Sequence, residues 1–312
     1  MTPDEMTPDE YYQQATKRNI GIVSRDEQER LRNARIAIIG MGGAGGIYLT
    51  TLVRMGIGNF NIADFDTFSV VNINRQAGAM RSTIDRPKTQ AMAEIARDIH
   101  PGVQIRQYDA GVGAHNIEEF IRDADVVLDA IDVFAQPARL LMYQTARRLG
   151  KPVIFGAPLG LSGTLGVFTP DGMRYEDYFD IQEGMAPFEI MMRFIVGLAP
   201  KGRHWTYMDA RNVEPEAQAG PSSAAAISLI TGMVCTEVLV ALLKRRPLMA
   251  APRYCQFDAY LGEYWRGRLR WGNRGPIQRI KLWLARKKFA AMSKDFNEAG
   301  FQLLPTADDA SQ

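Results

Sequence analysis

Gly40-Met41-Gly42-Gly43-Ala44-Gly45 constrains this chain more than any other stretch. The apolar run Arg35 to Gly40 before it reads as a buried strand, and Ile47 to Met55 after it as an apolar helix. Glycines at this spacing let the backbone turn tightly and let a phosphate approach it. The helix start then supplies unpaired N–H groups and the positive end of its dipole. Asp64 follows Gly45 by nineteen residues, at the end of a second strand spanning Asn59 to Asp64. An acid at that place accepts hydrogen bonds from ribose hydroxyls. Together these features point to an adenine nucleotide without separating NAD from ATP.

Strand and helix signals alternate from there. Helices are expected over Thr83 to Ile99, Ile117 to Arg122 and Ala138 to Leu149. Strands are expected over Val103 to Tyr108, Ala124 to Leu128 and Pro152 to Phe155. This order predicts right-handed crossovers and an α/β fold, a doubly wound, largely parallel, Rossmann-like sheet. Residues 157–170 suggest an antiparallel strand, 222–243 a long helix, and 254–271 a terminal hairpin. The expected organisation is a tail at 1–14, a nucleotide-binding domain at 15–170 and an irregular insertion at 171–222, the candidate substrate-binding segment. A helix with strands at 223–272 completes the domain, and 273–312 is a basic helix with a polar tail. Met1 to Glu5 recurs as Met6 to Glu10, so that tail is set aside from the fold.

Composition narrows the class further. Among 312 residues, 46% are hydrophobic, enough for a sizeable core. Basic and acidic residues nearly balance, 37 against 35, which argues against a broadly basic nucleic-acid coat. Cys235 and Cys255 are the only cysteines, so no disulfide framework and no structural zinc are expected. The longest apolar stretch, Ile227 to Leu243, contains Ser228, Thr231 and Glu237 and reads as a buried helix, not a membrane span. A soluble, cytoplasmic protein is expected.

The segment Asp64-Phe-Asp66-Thr-Phe-Ser-Val-Val-Asn72-Ile-Asn74-Arg75-Gln76 is polar and charged directly after a buried strand, and Lys88 follows it. Hydride transfer has no use for such a cluster. Cleavage of ATP between its α- and β-phosphates does: Arg75 and Lys88 can neutralise the departing pyrophosphate, and Asn72 and Gln76 can orient through amide hydrogen bonds. Asp129 and Asp132 end the fourth strand, at the edge where open parallel sheets bind ligands. Asp132, one step into the loop, is the candidate for Mg²⁺. Asp129 is either a second ligand or a local acceptor for backbone donors.

These residues carry a resemblance. Arg18, Gly40 to Gly45, Asp64-Phe-Asp66, Asn72-x-Asn-Arg75-Gln76, Lys88 and Asp132 resemble the pattern of the ThiF/MoeB/HesA adenylyltransferases, relatives of the ubiquitin-activating enzymes. The likeness covers roughly residues 15–170 and, loosely, 220–245. It implies that Gly40, Gly42, Gly43 and Gly45 face the nucleotide. Asp64, with Asp66 beside it, would hold the ribose. Asn72, Arg75, Gln76 and Lys88 would line the phosphates, and Asp132 would bind Mg²⁺. Arg18 would reach across a homodimer to the partner's triphosphate. The implied reaction joins a substrate carboxylate to the α-phosphate of ATP, giving an acyl-adenylate and pyrophosphate. The substrate would be the C-terminus of a small carrier protein, a peptide or a small molecule.

Three other readings stand beside it. The absence of zinc cysteines and the sequence Ala130-Ile131-Asp132 with Pro137 also resemble the dehydratase that cyclises threonylcarbamoyladenosine in tRNA. A dimeric scaffold without chemistry is the reading of another class, and an NAD-dependent oxidoreductase explains Gly40 to Asp64 only. In the insertion, Tyr175, Tyr178, Phe179, Phe188, Met191, Met192, Phe194 and Trp205 form either an apolar channel for an extended tail or the segment's own core. The acid-free stretch Pro276 to Lys294 is expected to dock its apolar stripe on its own domain or a twin subunit, the alternative being a membrane surface or an acidic partner.

Overall fold

The computed structural model describes residues 5–209, 214, 220–301 and 305–306. Parts of the N-terminal tail (1–4), the insertion (210–213 and 215–219) and the polar C-terminus lie outside the described residues. Eight strands form one sheet in the order β3-β2-β1-β4-β5-β6-β7-β8. They are β1 Arg35–Ile39, β2 Asn59–Ala63, β3 Gln104–Tyr108, β4 Val126–Asp129, β5 Val153–Leu159, β6 Ser162–Phe168, β7 Arg253–Asp258 and β8 Glu263–Arg268. The first five pair parallel, and β5 through β8 continue the sheet antiparallel. The order reverses at β1, which lies between β2 and β4, so their carboxyl ends open a crevice.

Helices cover both faces. They are α1 Pro8–Ala15, α2 Arg25–Asn33, α3 Gly43–Arg54, α4 Lys88–Ile99, α5 Ile117–Arg122, α6 Gln136–Arg148, α7 Tyr175–Phe179, α8 Pro187–Leu198, α9 Ala224–Leu243, α10 Pro276–Lys288 and α11 Ser293–Ala299. One face buries Ile36, Ile38 and Phe60 beneath Tyr48 and Leu52 of α3, Met92 of α4 and Ile230 and Val234 of α9. The other buries Ala37 and Val127 beneath Phe120 of α5, Met142 of α6, Phe179 of α7 and Phe194 of α8. Among the described residues α9 alone has the length and apolarity of a membrane span. Its Glu237 is buried and paired with Arg246 at 2.6 Å while accepting the Met249 N–H, which fits it to the interior of this sheet domain.

Several expectations need correcting. The N-terminal segment belongs to the fold: the second copy of the duplicated motif caps α1, with Thr7 and Glu10 forming a capping box. Tyr12 is 3% exposed and its hydroxyl donates to the Gly56 carbonyl at 2.8 Å. The helix expected from Thr83 begins only at Lys88, because Asp85 adopts a positive φ and Pro87 stands at the cap. The hairpin turns at residues 259–262. Among the described residues, the apolar side chains offered as a channel are packed into cores, with Trp205 against the smaller one. Tyr175, Tyr178, Phe179 and Phe194 are buried in the main core, and Phe188, Met191 and Met192 in a small core with Phe134, Leu282 and Phe296.

The basic C-terminal stretch also departs from expectation. It breaks at Phe289 into α10 and α11, and α11 carries Asp295 and Glu298. Gln278, Leu282 and Phe289 dock inward, while Ile277, Ile280, Trp283 and Leu284 remain exposed. The apolar stripe is therefore not docked on its own domain.

Gly40 and Gly45 fix how α3 meets β1. Gly40 has φ +94°, and a Cβ there would overlap the Ala130 carbonyl. A Cβ on Gly45 would overlap the Gly40 carbonyl oxygen and come within 3.1 Å of Ala130 Cβ. Gly45→Ala is therefore expected to destabilise the fold by about 1–3 kcal/mol, measured as a lower urea midpoint. An unchanged midpoint would mean that α3 seats less tightly on β1 than this geometry requires.

Candidate functional site

The carboxyl ends of β1, β2 and β4 enclose a cavity of about 200 Å³. Its wall includes Gly40, Gly42, Gly43, Asp64, Asp66, Arg75, Gln76, Lys88 and Asp132. Residues spread over ninety-three positions of sequence thus meet at the switch point of the sheet, each delivered by a strand end or the loop beyond it.

The glycine loop and the end of β2 are tied to each other. Asp64 Oδ2 accepts the Met41 N–H at 2.6 Å, and Oδ1 accepts the Asp66 N–H at 2.9 Å. Burial pushes the Asp64 carboxyl above its ordinary range, opposed by the Lys88 charge and the two backbone N–H groups. Each carboxylate oxygen retains a second lone pair for a ribose hydroxyl. α3 begins at Gly43, with Gly42 as its cap residue and no side chain over the orphan N–H groups. That leaves its N-terminus open to an anion.

The cations are held differently. Lys88 is only 6% exposed at the first turn of α4, and its Nζ pairs with Asp66 Oδ2 at 2.8 Å. Arg75 is half-buried, and its Nη1 donates to the Val71 carbonyl at 3.1 Å and Asn74 Oδ1 at 2.9 Å. Gln76 is buried, and its Oε1 has no hydrogen-bond partner. An orphaned buried acceptor in a cavity wall is costly and fits a site built for a ligand donor.

Two carboxylates at the end of β4 have separate duties. Asp129 is buried in an ion pair with Arg139 at 2.8 Å, accepts the Tyr143 hydroxyl at 3.1 Å and accepts the Ile131 N–H. It is a structural acid and does not line the cavity. Asp132 does. Its Oδ1 accepts the Phe134 N–H at 2.9 Å. The side chain opens to solvent, yet crowding protein raises its pKa, countered by the Phe134 N–H and then by Arg139, Arg75 and Lys88. One accessible carboxylate beside the cations Arg75 and Lys88 suits Mg²⁺, which takes one or two protein carboxylates and completes its shell with phosphate oxygens and water. No group of three His, Cys, Asp or Glu side chains forms a metal cluster among the described residues.

Three sequence-based candidates stand outside the cavity wall. Gly45 lies behind it, packing α3 onto β1. Asn72 is buried with its Oδ1 bonded to the Ser69 N–H at 3.0 Å and hydroxyl at 3.1 Å, closing a turn. Arg18 is exposed in the short turn Lys17–Asn19. Cys235 and Cys255 are buried free thiols, and burial pushes Cys235 up to about 12, which leaves no thiolate at neutral pH. Sequence reasoning missed Arg139, since nothing in Pro137-Ala138-Arg139 marks a fully buried cation. It also missed Pro305, which reaches the cavity from the far end of the chain.

Residues 16–274 match the model of the ThiF family. The sulfur carrier protein adenylyltransferase of Thermus thermophilus is 32% identical over 160 residues, 51% of this chain and 57% of that protein. The tRNA threonylcarbamoyladenosine dehydratase of Haemophilus influenzae is 37% identical over 133 residues, 42% of this chain and 51% of that protein. The chain therefore spans about half the length of the curated relatives it matches. The crystal structure of selenomethionine PaaA superposes with a TM-score of 0.63 at 17% identity, covering 86% of this chain and 76% of that one.

The two acids at the end of β4 should separate by mutation. Asp129→Asn leaves Arg139 buried without its counter-charge and is expected to cost about 3–5 kcal/mol. Asp132→Asn is expected to stay within about 0.5 kcal/mol of wild type. Denaturant unfolding of the two variants checks this, and equal losses would make Asp132 a structural acid as well.

Proposed function

The chain belongs to the ThiF family, and from that premise we propose that it is an adenylyltransferase which activates a carboxylate with ATP. The observation that carries the reading is the convergence of Arg75, Lys88, Asp64 and Asp132 on one cavity at the open start of α3. That set suits a triphosphate and its ribose.

In this reading one carboxylate oxygen of the substrate attacks the α-phosphorus of ATP. The bond from the α-phosphorus to the bridging oxygen breaks, and its electron pair leaves with pyrophosphate. No proton is transferred and no protein nucleophile is required, consistent with the absence of Cys, His or Ser from the cavity wall among the described residues. The work is positioning and charge stabilisation. Asp64 orients the ribose. The N–H groups at the start of α3 meet the phosphates. Arg75 and Lys88 balance the charge that builds on the leaving pyrophosphate, and Lys88 is pre-positioned by Asp66. Asp132 would hold Mg²⁺, which supplies further neutralisation of phosphate charge. Arg18, remote from the cavity of its own chain, is assigned to the partner's site in a homodimer.

The favoured substrate is the C-terminal carboxylate of a small carrier protein; the Thermus relative is named an adenylyltransferase of a sulfur carrier protein, which supports this choice. The dehydratase relative supports a second reading, in which the carboxylate belongs to a modified adenosine in tRNA.

ATP with Mg²⁺ is expected to raise the unfolding temperature, by mass action worth about 2.7 kcal/mol at a hundredfold excess over Kd. NAD is expected to do nothing, and Arg75→Ala, Lys88→Ala and Asp132→Ala should each lose most of the shift. Stabilisation by NAD alone would remove the proposal. Pyrophosphate release that depends on an added carrier protein supports the first substrate, and release that depends on bulk tRNA supports the second.

A further inference from the structure

The exposed face of α10 is an apolar stripe bordered by cations. Ile277, Ile280, Trp283 and Leu284 are 68, 60, 51 and 53% exposed. At 3.6 residues per turn they fall within about 120° of the helix circumference. The opposite face, with Gln278 and Leu282, is buried against α8 and its neighbours. On the same circumference Arg279 and Arg286 border one edge of the stripe, and Lys281 and Lys288 the other. Lys287 lies within it, its Nζ 4.1 Å from the centre of the Trp283 ring. Four apolar side chains held in water beside their own core demand an occupant.

Charge identifies that occupant. No acid occurs between Glu263 and Asp295, while ten arginines and lysines do. Ten positive charges against a whole-chain net of +2 leave the rest of the chain at −8. A second copy apposed through this face would bring like charges together. Nucleic acid would pair with the cations, but Ile277, Ile280 and Leu284 have no π-face on which a base can stack. Branched aliphatics and a tryptophan bordered by lysine and arginine match the boundary of acyl chains and anionic headgroups. Beside the stripe lies a concavity of about 770 Å³, lined by Arg274, Arg279 and Arg286 with Trp283 and by the Arg193–Asp180 ion pair. Arg274 and Arg286 are tied to Asp177 and Glu189, whereas Arg279 makes no ion pair among the described residues. We propose that α10 seats this protein on anionic lipid surfaces, with Ile277, Ile280, Trp283 and Leu284 entering the interface and Arg279 and Lys287 meeting the headgroups.

The test is co-sedimentation of the full chain with phosphatidylcholine vesicles, with and without phosphatidylserine. Binding is expected only where phosphatidylserine is present, and it should weaken as salt rises. Ile280→Ser with Leu284→Ser should reduce binding more than tenfold, as should Arg279→Gln with Lys287→Gln, at roughly fivefold per cation. These side chains are exposed, so an unchanged thermal unfolding midpoint accompanies each loss. A blue shift of tryptophan emission on vesicles, absent in Trp283→Phe, places that ring in the interface. A wild-type chain that ignores both vesicles overturns the proposal. So does binding to tRNA or polyglutamate through Arg279 and Lys287 without binding to vesicles, or equal affinity for the neutral vesicle.

Discussion

The bond from the Met41 N–H to the Asp64 carboxylate joins the two halves of the site. Met41 lies in the glycine loop with its side chain fully buried, and Asp64 closes β2. A carboxylate taken from water is costly, and here two backbone N–H groups and the nearby Lys88 charge compensate it. The bond sets the distance between the start of α3 and the end of β2, the width a nucleoside would span. The fit depends in turn on Gly40 and Gly45, where any side chain would push α3 away from β1 and carry Met41 with it. Loop conformation, helix placement and the position of the Asp64 carboxylate are therefore one constraint.

Charge in this protein is divided by duty. Asp129 with Arg139 and Glu237 with Arg246 neutralise each other in or beside the core and face no cavity. Asp132, Arg75 and Lys88 stand where solvent or ligand reaches them, and only Lys88 has a carboxylate partner. The distinction is not one of residue type. Asp129 and Asp132 sit three residues apart on one strand end. What separates them is the direction of the chain: Asp129 is the last strand residue and turns toward α6, whereas Asp132 belongs to the loop that rims the cavity.

That distinction marks how far the residues alone could be read. The parallel sheet was legible because β1, β2 and β4 are short apolar runs closing on glycine or acid, a local pattern. Gly40, Asp64, Arg75, Lys88 and Asp132 were legible because strand ends and the loops beyond them deliver residues to one edge of the sheet. Asn72, read as an amide that lines the phosphates, stands outside the cavity wall and closes a turn with Ser69, a competition that only coordinates display. The aromatics from Tyr175 to Phe194 were offered as a channel because periodicity identifies an apolar face without saying what covers it. The reverse error arose at α10, whose stripe looked like a docking face although its polar Gln278 points inward. Gln278 Nε2 donates to the Val196 carbonyl at 3.2 Å and Asn273 Oδ1 at 3.1 Å, so the helix is anchored by a polar contact as well as by Leu282. An amphipathic pattern cannot reveal such an inversion.

The inversion links the C-terminal region to the site. Phe289 and Phe296 bury themselves with Phe134, which stands two residues after Asp132 in the loop rimming the cavity. The Phe134 N–H is the donor that Asp132 Oδ1 accepts. Further along, Pro305 joins the cavity wall, and its ring lies close to Gly111. α10 and α11 therefore support the loop of Asp132 from outside, while Pro305 beyond them borders the same cavity. The inner face of this C-terminal element packs on the rim of the site while its apolar stripe faces outward, so the loop that carries Asp132 is backed by the same element that bears the stripe.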